Sequence, residues 1–323
     1  MKTETDFQIL FELKKSSTPV SGTYLSEKLH ISRSAVWKRI KTLKTVGYSI
    51  NSASEGYQLI SAPYTPVPEE IIWHLKCGDK PHVQIFKEID STNKFLMDLG
   101  RRGTRQNHII AAETQTAGRG RFNRTWVSER GAGIYMSILL NMSDLPFESE
   151  DLPKLTPLAA VSVVEALLET APGLDCVIKW PNDIFLSGKK LAGILTEAEI
   201  EGGLMRYAVI GIGLNLKLTG THPDNATALE NETGITVNQN LLIASVYDKI
   251  KEAVDGFSQE KWEIIFQKWH SRSMLINRQV TVQRGDFTIA GTVEGFESNC
   301  SMRIRSADGK LHRVNSGDAT LNK

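Results

Sequence analysis

The sequence predicts an α+β protein in which a small, mostly helical head precedes a larger body of short strands and few helices. Three observations lead to this prediction. Positive charge is concentrated before residue 48, three prolines follow at 63, 66 and 68, and the runs beyond residue 83 are mainly β-rich. The change in composition across the prolines indicates that head and body are separate domains.

Length and composition set the protein class. A chain of 323 residues, 41% hydrophobic and 23% charged, is long enough for two or three domains with cores. No apolar run is long enough to span a bilayer, and no basic-then-apolar leader follows Met1, so we expect a cytoplasmic protein without membrane contacts. The three cysteines are widely spaced, which excludes a Cys-x-x-Cys site.

The net charge of +1 hides an asymmetry between the head and the rest of the chain. Up to Tyr48 there are nine Lys/Arg and four Asp/Glu, which makes this segment +5, whereas the remainder (29 basic, 33 acidic) is −4. Residues 28–44 hold six basic residues and no acidic one. A basic head on a mildly acidic body is typical of a nucleic-acid-binding module attached to another domain.

The head reads as three short helices. Asp6 is expected to cap the first, which ends before Pro19, and the second begins after Ser21. Ser32 is expected to cap a third helix that runs to Gly47. Its apolar residues share one face, and a continuous polar sector occupies the other, as in a recognition helix.

A two-stranded wing is predicted next, because apolar residues alternate at 48/50 and 57/59 on either side of the turn sequence Ser-Ala-Ser-Glu-Gly. Helices and wing together predict a winged helix-turn-helix DNA-binding domain over residues 1–62. The alternative is a basic helix that only faces water. The candidate DNA contacts are Ser32, Arg33, Ser34, Trp37, Lys38 and Lys41.

The body is predicted to contain a mixed sheet with packed helices, because its helices are too few for a regular βαβ repeat. Predicted strands span residues 83–89, 109–113, 134–140, 177–180, 191–199 and 206–216. A short helix is expected near residue 71, and long helices over residues 157–170, 241–257 and 259–273. No P-loop, complete dinucleotide-binding glycine motif, His-Glu-x-x-His or Gly-x-Ser-x-Gly occurs.

An arginine- and glycine-rich loop, residues 116–124, is the most informative stretch of the body. Gly118 and Gly120 permit unusual φ values and close ligand approach, while Arg119, Arg121 and Arg124 supply permanent positive charge. Such a loop suits a phosphate or carboxylate ligand. A solvated surface loop is the alternative, and for an isolated Arg/Gly run it is about as frequent.

Four other polar segments interrupt the apolar background: residues 90–93, Gln115, residues 179–193 and residues 211–215. Asp90-Ser-Thr-Asn93 ends a strand and begins a helix, which can be a simple cap or an anion site. A turn at residues 187–188 predicts a hairpin across which Asp183 and Lys190 face each other. Taken singly, each segment also has a structural explanation, including close packing at the glycines near 211.

In their order, these segments resemble the biotin protein ligases. Gly118-Arg-Gly-Arg121, Lys179-Trp-Pro-Asn-Asp183, Lys190-Leu-Ala-Gly-Ile-Leu195 and Gly211-Ile-Gly-Leu-Asn215, with Asp90-Ser-Thr-Asn93 and the winged head, match the bifunctional bacterial type that also represses the biotin operon. The resemblance covers essentially the whole chain.

The resemblance implies a central ligase domain, residues 63–273, similar to class II aminoacyl-tRNA synthetases, and an SH3-like C-terminal barrel of five or six strands, residues 274–323. It also implies a two-step reaction. Biotin and Mg·ATP form biotinyl-5′-adenylate, and a lysine of a biotin carrier domain of a biotin-dependent carboxylase then takes the biotinyl group and releases AMP.

The family's roles can be carried onto matching positions. The catalytic residues implied are Lys190, Arg121 and Asp183, and Asp183 is also a possible Mg²⁺ contact. The biotin-binding residues implied are Ser91, Thr92, Asn93, Gln115, Arg119, Gly120, Arg121, Lys190 and Gly193. The ATP- and adenylate-binding residues implied are Arg119, Arg121, Trp126, Lys179, Asn182 and Asn215.

One departure concerns Phe122-Asn123, where some family members have Arg-Gly; we interpret this position as loop packing. The resemblance further implies that the adenylate promotes a homodimer that binds a palindromic operator. Two alternatives remain: a transcription factor that senses a ligand without turnover, and a lipoyl or octanoyl ligase of similar fold. The latter typically carries an Arg-Gly-Gly run that this chain lacks.

Overall fold

The computed structural model describes residues 4–218, 222–284 and 287–322. The chain divides into two compact units, residues 1–73 and 74–323. The first unit contains α1 (Glu4–Lys15), α2 (Gly22–Lys28), α3 (Arg33–Val46), β1 (Ser49–Ala53) and β2 (Gly56–Ser61), and most of α4 (Pro68–His74).

The helices of the head begin and end largely where their capping residues predict. Ser21 and Ser32 accept hydrogen bonds from backbone N–H groups at the starts of α2 and α3, and Gly47 ends α3 with φ of 111°. The expectation for Asp6 is wrong. Because α1 already begins at Glu4, Asp6 lies inside the helix, where it is buried and pairs with Arg39 at 3.6 Å.

The wing is confirmed as an antiparallel hairpin of β1 and β2. Its strands extend closer to the turn than the alternation indicated, leaving Ser54 and Glu55 as the connection. The wing's Ile50 joins Leu25, Val36, Ile40 and Leu43 in the buried core of the head. Burial of these side chains is the main stabilising term for so small a domain.

The short helix α4 after the prolines packs against α1. Lys14 Nζ lies 2.7 Å from Glu70 Oε2, and both side chains are almost fully buried. The Phe11 and Trp73 rings meet edge to face at 5.8 Å. The head unit therefore continues to Trp73, eleven residues beyond the boundary at 62 that the prolines indicated.

A seven-stranded mixed sheet forms the centre of the second unit. Its strands are β3 (His82–Phe86), β4 (His108–Ala112), β5 (Gly133–Asn141), β6 (Val177–Lys179), β7 (Asp183–Leu186), β8 (Lys189–Glu201) and β9 (Leu204–Asn215). Their spatial order is β3-β4-β5-β9-β8-β7-β6, with β3 and β4 parallel and all other neighbours antiparallel. The predicted mixed sheet is confirmed.

Five helices accompany this sheet among the described residues: α5 (Thr92–Arg101), α6 (Leu152–Thr170), α7 (Leu229–Thr233), α8 (Gln239–Asp255) and α9 (Gln259–Ser271). Helix α6 begins at Leu152, five residues before its predicted start at Pro157. Pro153 lies in the first turn, where proline is tolerated because those N–H groups have no intrahelical acceptor, whereas Pro157 lies inside the helix. Within the described chain, no helix combines the length and the apolar character needed to cross a bilayer.

The C-terminal segment forms an antiparallel sheet of five strands, a number and pairing that agree with the predicted SH3-like domain. The strands are β10 (Gln279–Arg284), β11 (Phe287–Phe296), β12 (Met302–Arg305), β13 (Leu311–Val314) and β14 (Asp318–Leu321). Trp180 and Trp262 each donate an indole hydrogen bond of 3.0 Å to carbonyls of residues 300 and 298, which attaches this sheet to the rest of the second unit.

Candidate functional site

A cavity of about 790 Å³, counting its open mouth, lies where the polar segments of the sequence meet. Its lining is drawn from the start of α5, the Arg/Gly loop, the β7–β8 hairpin, strand β9 and the first residue of β14. Predicted site residues in the lining are Ser91, Thr92, Asn93, Gln115, Arg119, Gly120, Arg121, Trp126, Asn182, Asp183, Lys190 and Gly193.

The start of α5 forms one wall of the cavity. Ser91 is the N-cap residue and accepts from Lys94 N at 3.4 Å. The backbone N–H and hydroxyl of Thr92 both donate to Gln115 Oε1, at 2.9 and 3.1 Å, and Gln115 Nε2 donates to Ser128 Oγ at 2.9 Å. These bonds hold neutral donors and acceptors in fixed directions, as recognition of a neutral polar group requires.

The Asn93 side chain is hydrogen-bonded to neighbouring strands of the central sheet. Its Nδ2 donates to Leu195 O at 3.2 Å and to Glu197 Oε2 at 2.9 Å, and its Oδ1 accepts from Ser137 Oγ at 2.6 Å. A Cβ at Gly211 would lie 2.0 Å from Asn93 Oδ1, so only glycine fits there. Asn93 thus braces α5 against the sheet with both of its side-chain donors in use.

Each arginine of the Arg/Gly loop has a different protein partner. Arg119 NH2 lies 3.2 Å from Glu197 Oε2, Arg121 NH1 donates to the Gly317 carbonyl at 3.3 Å, and Arg124 pairs with Asp318. Burial lowers the pKa of Arg121, opposed by the nearby Asp318 and Asp183. The loop is therefore held to the central sheet at one end and to the C-terminal sheet at the other.

The glycines of this loop serve a different purpose from the one expected. Neither Gly118 nor Gly120 has a positive φ; the left-handed residues are Phe122 and Asn123, at 54° and 56°. A Cβ on Gly118 would lie 2.4 Å from the Trp126 carbonyl, so close backbone approach explains that glycine. At Gly120 a Cβ would make only an ordinary contact, at 3.5 Å.

The interpretation of Phe122 as loop packing is wrong. Its side chain is 62% exposed, and the Arg121 guanidinium lies 4.8 Å from its ring centroid. A left-handed conformation at a bulky residue carries a strain of order 1–3 kcal/mol. Phe122 therefore presents an exposed apolar surface next in sequence to Arg121, a residue of the cavity lining.

The predicted hairpin forms, but its register pairs Lys190 with Phe185 and Asp183 with Gly193, so Lys190 and Asp183 are not direct strand partners and meet only through their side chains. Lys190 Nζ lies 2.8 Å from Asp183 Oδ1, with both side chains roughly three-quarters buried. The backbone N–H of Lys190 donates to Asn225 O at 2.7 Å, which fixes the start of β8. The ammonium thus faces the cavity opposite the arginines, where positive charge from two sides can converge on one anion.

Trp126 lies over two glycines that are opposite each other on β8 and β9. Gly193 and Gly213 are cross-strand neighbours, and a Cβ on either would come within 2.8 Å of the Trp126 ring. Lys190 Nζ is 5.2 Å from the ring centroid on this side. Among the described residues, Trp126 Nε1 is buried without a hydrogen-bond acceptor, which leaves a donor for a ligand.

Two predicted adenylate residues lie outside the cavity lining. Asn215 Nδ2 donates to Thr227 O at 2.9 Å, and Lys179 lies close to Phe185, with its pKa lowered by burial. Asn182 is in the lining, but its Nδ2 donates to Ile194 O at 2.8 Å.

Sequence reasoning missed three residues that complete the site: Ser137, Glu197 and Asp318. A usable signal existed only for Ser137, which is the one serine in the otherwise largely apolar strand β5. Glu197 is one of several acidic residues on β8, and Asp318 comes from a distant part of the chain.

The head carries a second candidate surface on α3. The predicted DNA contacts Ser32, Arg33, Ser34, Trp37, Lys38 and Lys41 are all exposed. Trp37 is 53% exposed and lies 5.4 Å from Lys41 Nζ. Ser32 also serves as the cap of α3 and shares a 2.9 Å hydrogen bond with Ser34. Exposed cations beside an exposed aromatic suit phosphates and base edges.

Comparison with known proteins gives matches along the whole chain. A profile described as an HTH domain matches residues 5–58, the biotin/lipoate A/B protein ligase family matches residues 85–215, and the biotin protein ligase C-terminal domain matches residues 275–321. The chain is 32% identical over 309 residues to the bifunctional ligase/repressor BirA of Bacillus subtilis, covering 94% of each protein.

Two further similarities extend this result. The bifunctional ligase/repressor BirA of Escherichia coli is 31% identical over 307 residues, covering 93% of this chain and 92% of that protein. The solved structure of the biotin protein ligase from Aquifex aeolicus in complex with biotin and ATP aligns with a TM-score of 0.63 and 27% identity, covering 75% of this chain and 99% of that chain.

Proposed function

This chain belongs to the bifunctional biotin protein ligase and repressor family, and we propose that it joins biotin to a lysine of biotin carrier domains and represses biotin genes. The observation that carries the ligase proposal is the placement of Lys190, paired with Asp183, in one cavity with Arg119 and Arg121. That arrangement suits a reaction in which a carboxylate and a phosphate, both anionic, must come together.

Biotin's ureido ring fits the wall formed by the start of α5. This ring is neutral and needs several fixed donors and acceptors, which Ser91, Thr92 and Gln115 offer. Asn93, whose amide is bonded within the protein, holds this wall in place. Gly193 provides close approach beside Lys190, and biotin's carboxylate then extends toward the Lys190 ammonium.

The first step joins biotin's carboxylate to the α-phosphate of ATP. A carboxylate oxygen forms a bond to the α-phosphorus, the bond to the bridging oxygen breaks, and pyrophosphate leaves. Lys190 contacts both anionic groups, and Arg119 and Arg121 offset the charge that grows on the phosphate in the transition state. Ordering of the loop, including Gly120, closes this end of the cavity.

The second step transfers the biotinyl group. The acceptor amine attacks the acyl carbon of the mixed anhydride, an amide bond forms, and AMP leaves with the electrons of the broken acyl–oxygen bond. Asp183 is placed at the hairpin to orient the amine and accept its proton. Asp183 is also the carboxylate that suits a Mg²⁺ ion bound with ATP, since Mg²⁺ commonly takes one or two protein carboxylates plus phosphate oxygens.

The adenosine portion is assigned to the side of the cavity next to Trp126. Its indole offers a stacking face and the N–H without an acceptor among the described residues. Asn182 borders this part of the cavity. Lys179 and Asn215, which lie behind the lining, would reach the nucleotide only after local rearrangement.

The repressor proposal rests on the exposed face of α3. Arg33, Ser34 and Trp37 lie near the start of the helix, where base contacts are made, whereas Lys38 and Lys41 suit phosphates. We also propose that biotinyl-5′-adenylate promotes a homodimer, which would place two heads on a palindromic operator. The exposed Phe122 of the Arg/Gly loop is a candidate contact in that dimer.

Mass spectrometry of a carrier domain after incubation with the protein, biotin and Mg·ATP tests the ligase proposal. We expect a mass gain equal to one biotinyl group and none when lipoate or octanoate replaces biotin. Transfer of lipoate in preference to biotin would contradict the assignment, as would the absence of pyrophosphate release.

A further inference from the structure

We infer that Glu197, which no sequence motif singled out, positions Arg119 over the biotin end of the cavity. The role assigned to Arg119 rests on the proposed function. One oxygen of the Glu197 carboxylate, Oε2, accepts from Arg119 NH2 at 3.2 Å and from Asn93 Nδ2 at 2.9 Å. The carboxylate therefore joins the Arg/Gly loop to the rigid part of the site.

The rigid part is the start of α5. Asn93 is the second residue of that helix and only 4% exposed. Its amide is oriented by Ser137 on β5 and by the Leu195 carbonyl on β8, so the N–H that points at Glu197 has a fixed direction. The hydrogen bond from Asn93 thus holds the Glu197 carboxylate in place independently of its pairing with Arg119.

The other side of this connection is Arg119 of the Arg/Gly loop. Arg119 is 38% exposed and has many accessible rotamers when it is unpaired. An ion pair this exposed adds little to the stability of the fold, and its effect is mainly on side-chain position. By pairing with Arg119, Glu197 selects rotamers that keep the guanidinium at the cavity, where Arg119 is part of the lining.

Pre-positioning has a measurable consequence for ligand binding. If Arg119 is already placed, biotin and the adenylate need not order it, and binding loses less conformational entropy. In Glu197→Gln the charge is lost while the size is kept. We expect KM for biotin to rise about two- to tenfold, the usual effect of ordering one long side chain, with kcat at saturating biotin nearly unchanged.

Glu199→Gln is the matched control, because Glu199 lies two residues further along the same strand and is exposed. It should leave KM at the wild-type value. In an Arg119→Gln background the Glu197→Gln change should have no further effect on KM. An equal effect in both backgrounds would show that Glu197 acts by another route and would overturn the inference.

Limited trypsin digestion without any ligand separates this inference from the proposed function. A paired arginine is a poor trypsin site, so cleavage after Arg119, identified by fragment mass, should be faster in Glu197→Gln than in the wild type and Glu199→Gln. Equal cleavage rates in all three would refute the positioning role. Failure of the wild type to biotinylate a carrier would instead refute the function and leave this comparison intact.

Discussion

Replacing Lys190 by methionine removes the ammonium from the cavity and keeps most of the side-chain volume. Two unit charges about 4 Å apart interact by roughly 4 kcal/mol at an effective dielectric near 20. Loss of one preorganised charge contact in an active site commonly costs about 2.7 to 4 kcal/mol. At about 1.4 kcal/mol per factor of ten, we expect adenylate formation to slow by roughly 100- to 1,000-fold.

Single-turnover pyrophosphate release from Mg·ATP at saturating biotin measures this step directly. The change also leaves Asp183 without its ion-pair partner at 2.8 Å. The double variant Lys190→Met/Asp183→Asn should therefore be compared with Lys190→Met, to separate the effect of an unpaired Asp183 charge from the loss of the catalytic ammonium. Lys189→Met, an exposed neighbour on β8, is the control for an unrelated charge loss. A rate for Lys190→Met within about threefold of the wild type would refute the catalytic role.

Three further predictions follow from the remaining contacts. Arg121→Gly removes the tie to the Gly317 carbonyl and should speed release of biotinyl-5′-adenylate roughly 100-fold, measured by filter binding of labelled adenylate, while the thermal midpoint changes little. Trp37→Ala should reduce the preference for operator over random DNA and leave the salt slope unchanged, whereas Lys38→Ala should lower that slope by about 0.9, both read by fluorescence anisotropy. Phe122→Gly removes a 62% exposed ring and a strained φ, so it should weaken adenylate-promoted dimerisation in sedimentation runs without slowing adenylate formation; wild-type dimerisation would contradict the proposed contact.

The head shows how far local pattern can predict structure. Helix α3 begins after Ser32 and ends at Gly47 as expected, because helix caps act through hydrogen bonds and backbone conformations within a few residues. The existence of the β7–β8 hairpin was also predictable from the turn at residues 187–188, but a register shift within it pairs Asp183 with Gly193 and not with Lys190. The prediction of Asp6 as a cap was wrong because α1 already begins at Glu4, a residue that also tolerates a helical conformation.

The candidate cavity depended on contacts that no local pattern encodes. Asn93 reaches Glu197 across 104 residues, and Arg124 reaches Asp318 across 194 residues. Phe122 was misread for the same reason, because its exposure depends on how the loop lies between two sheets.

Residue types, periodicity and motif order were enough to predict the fold class, the winged head and the chemical nature of the cavity, since each reflects interactions between residues near in sequence. The partner of each arginine and the bracing role of Asn93 were decided by folding. The packing of loops and helix α5 against the paired strands determines which side chains from distant segments come within hydrogen-bonding distance.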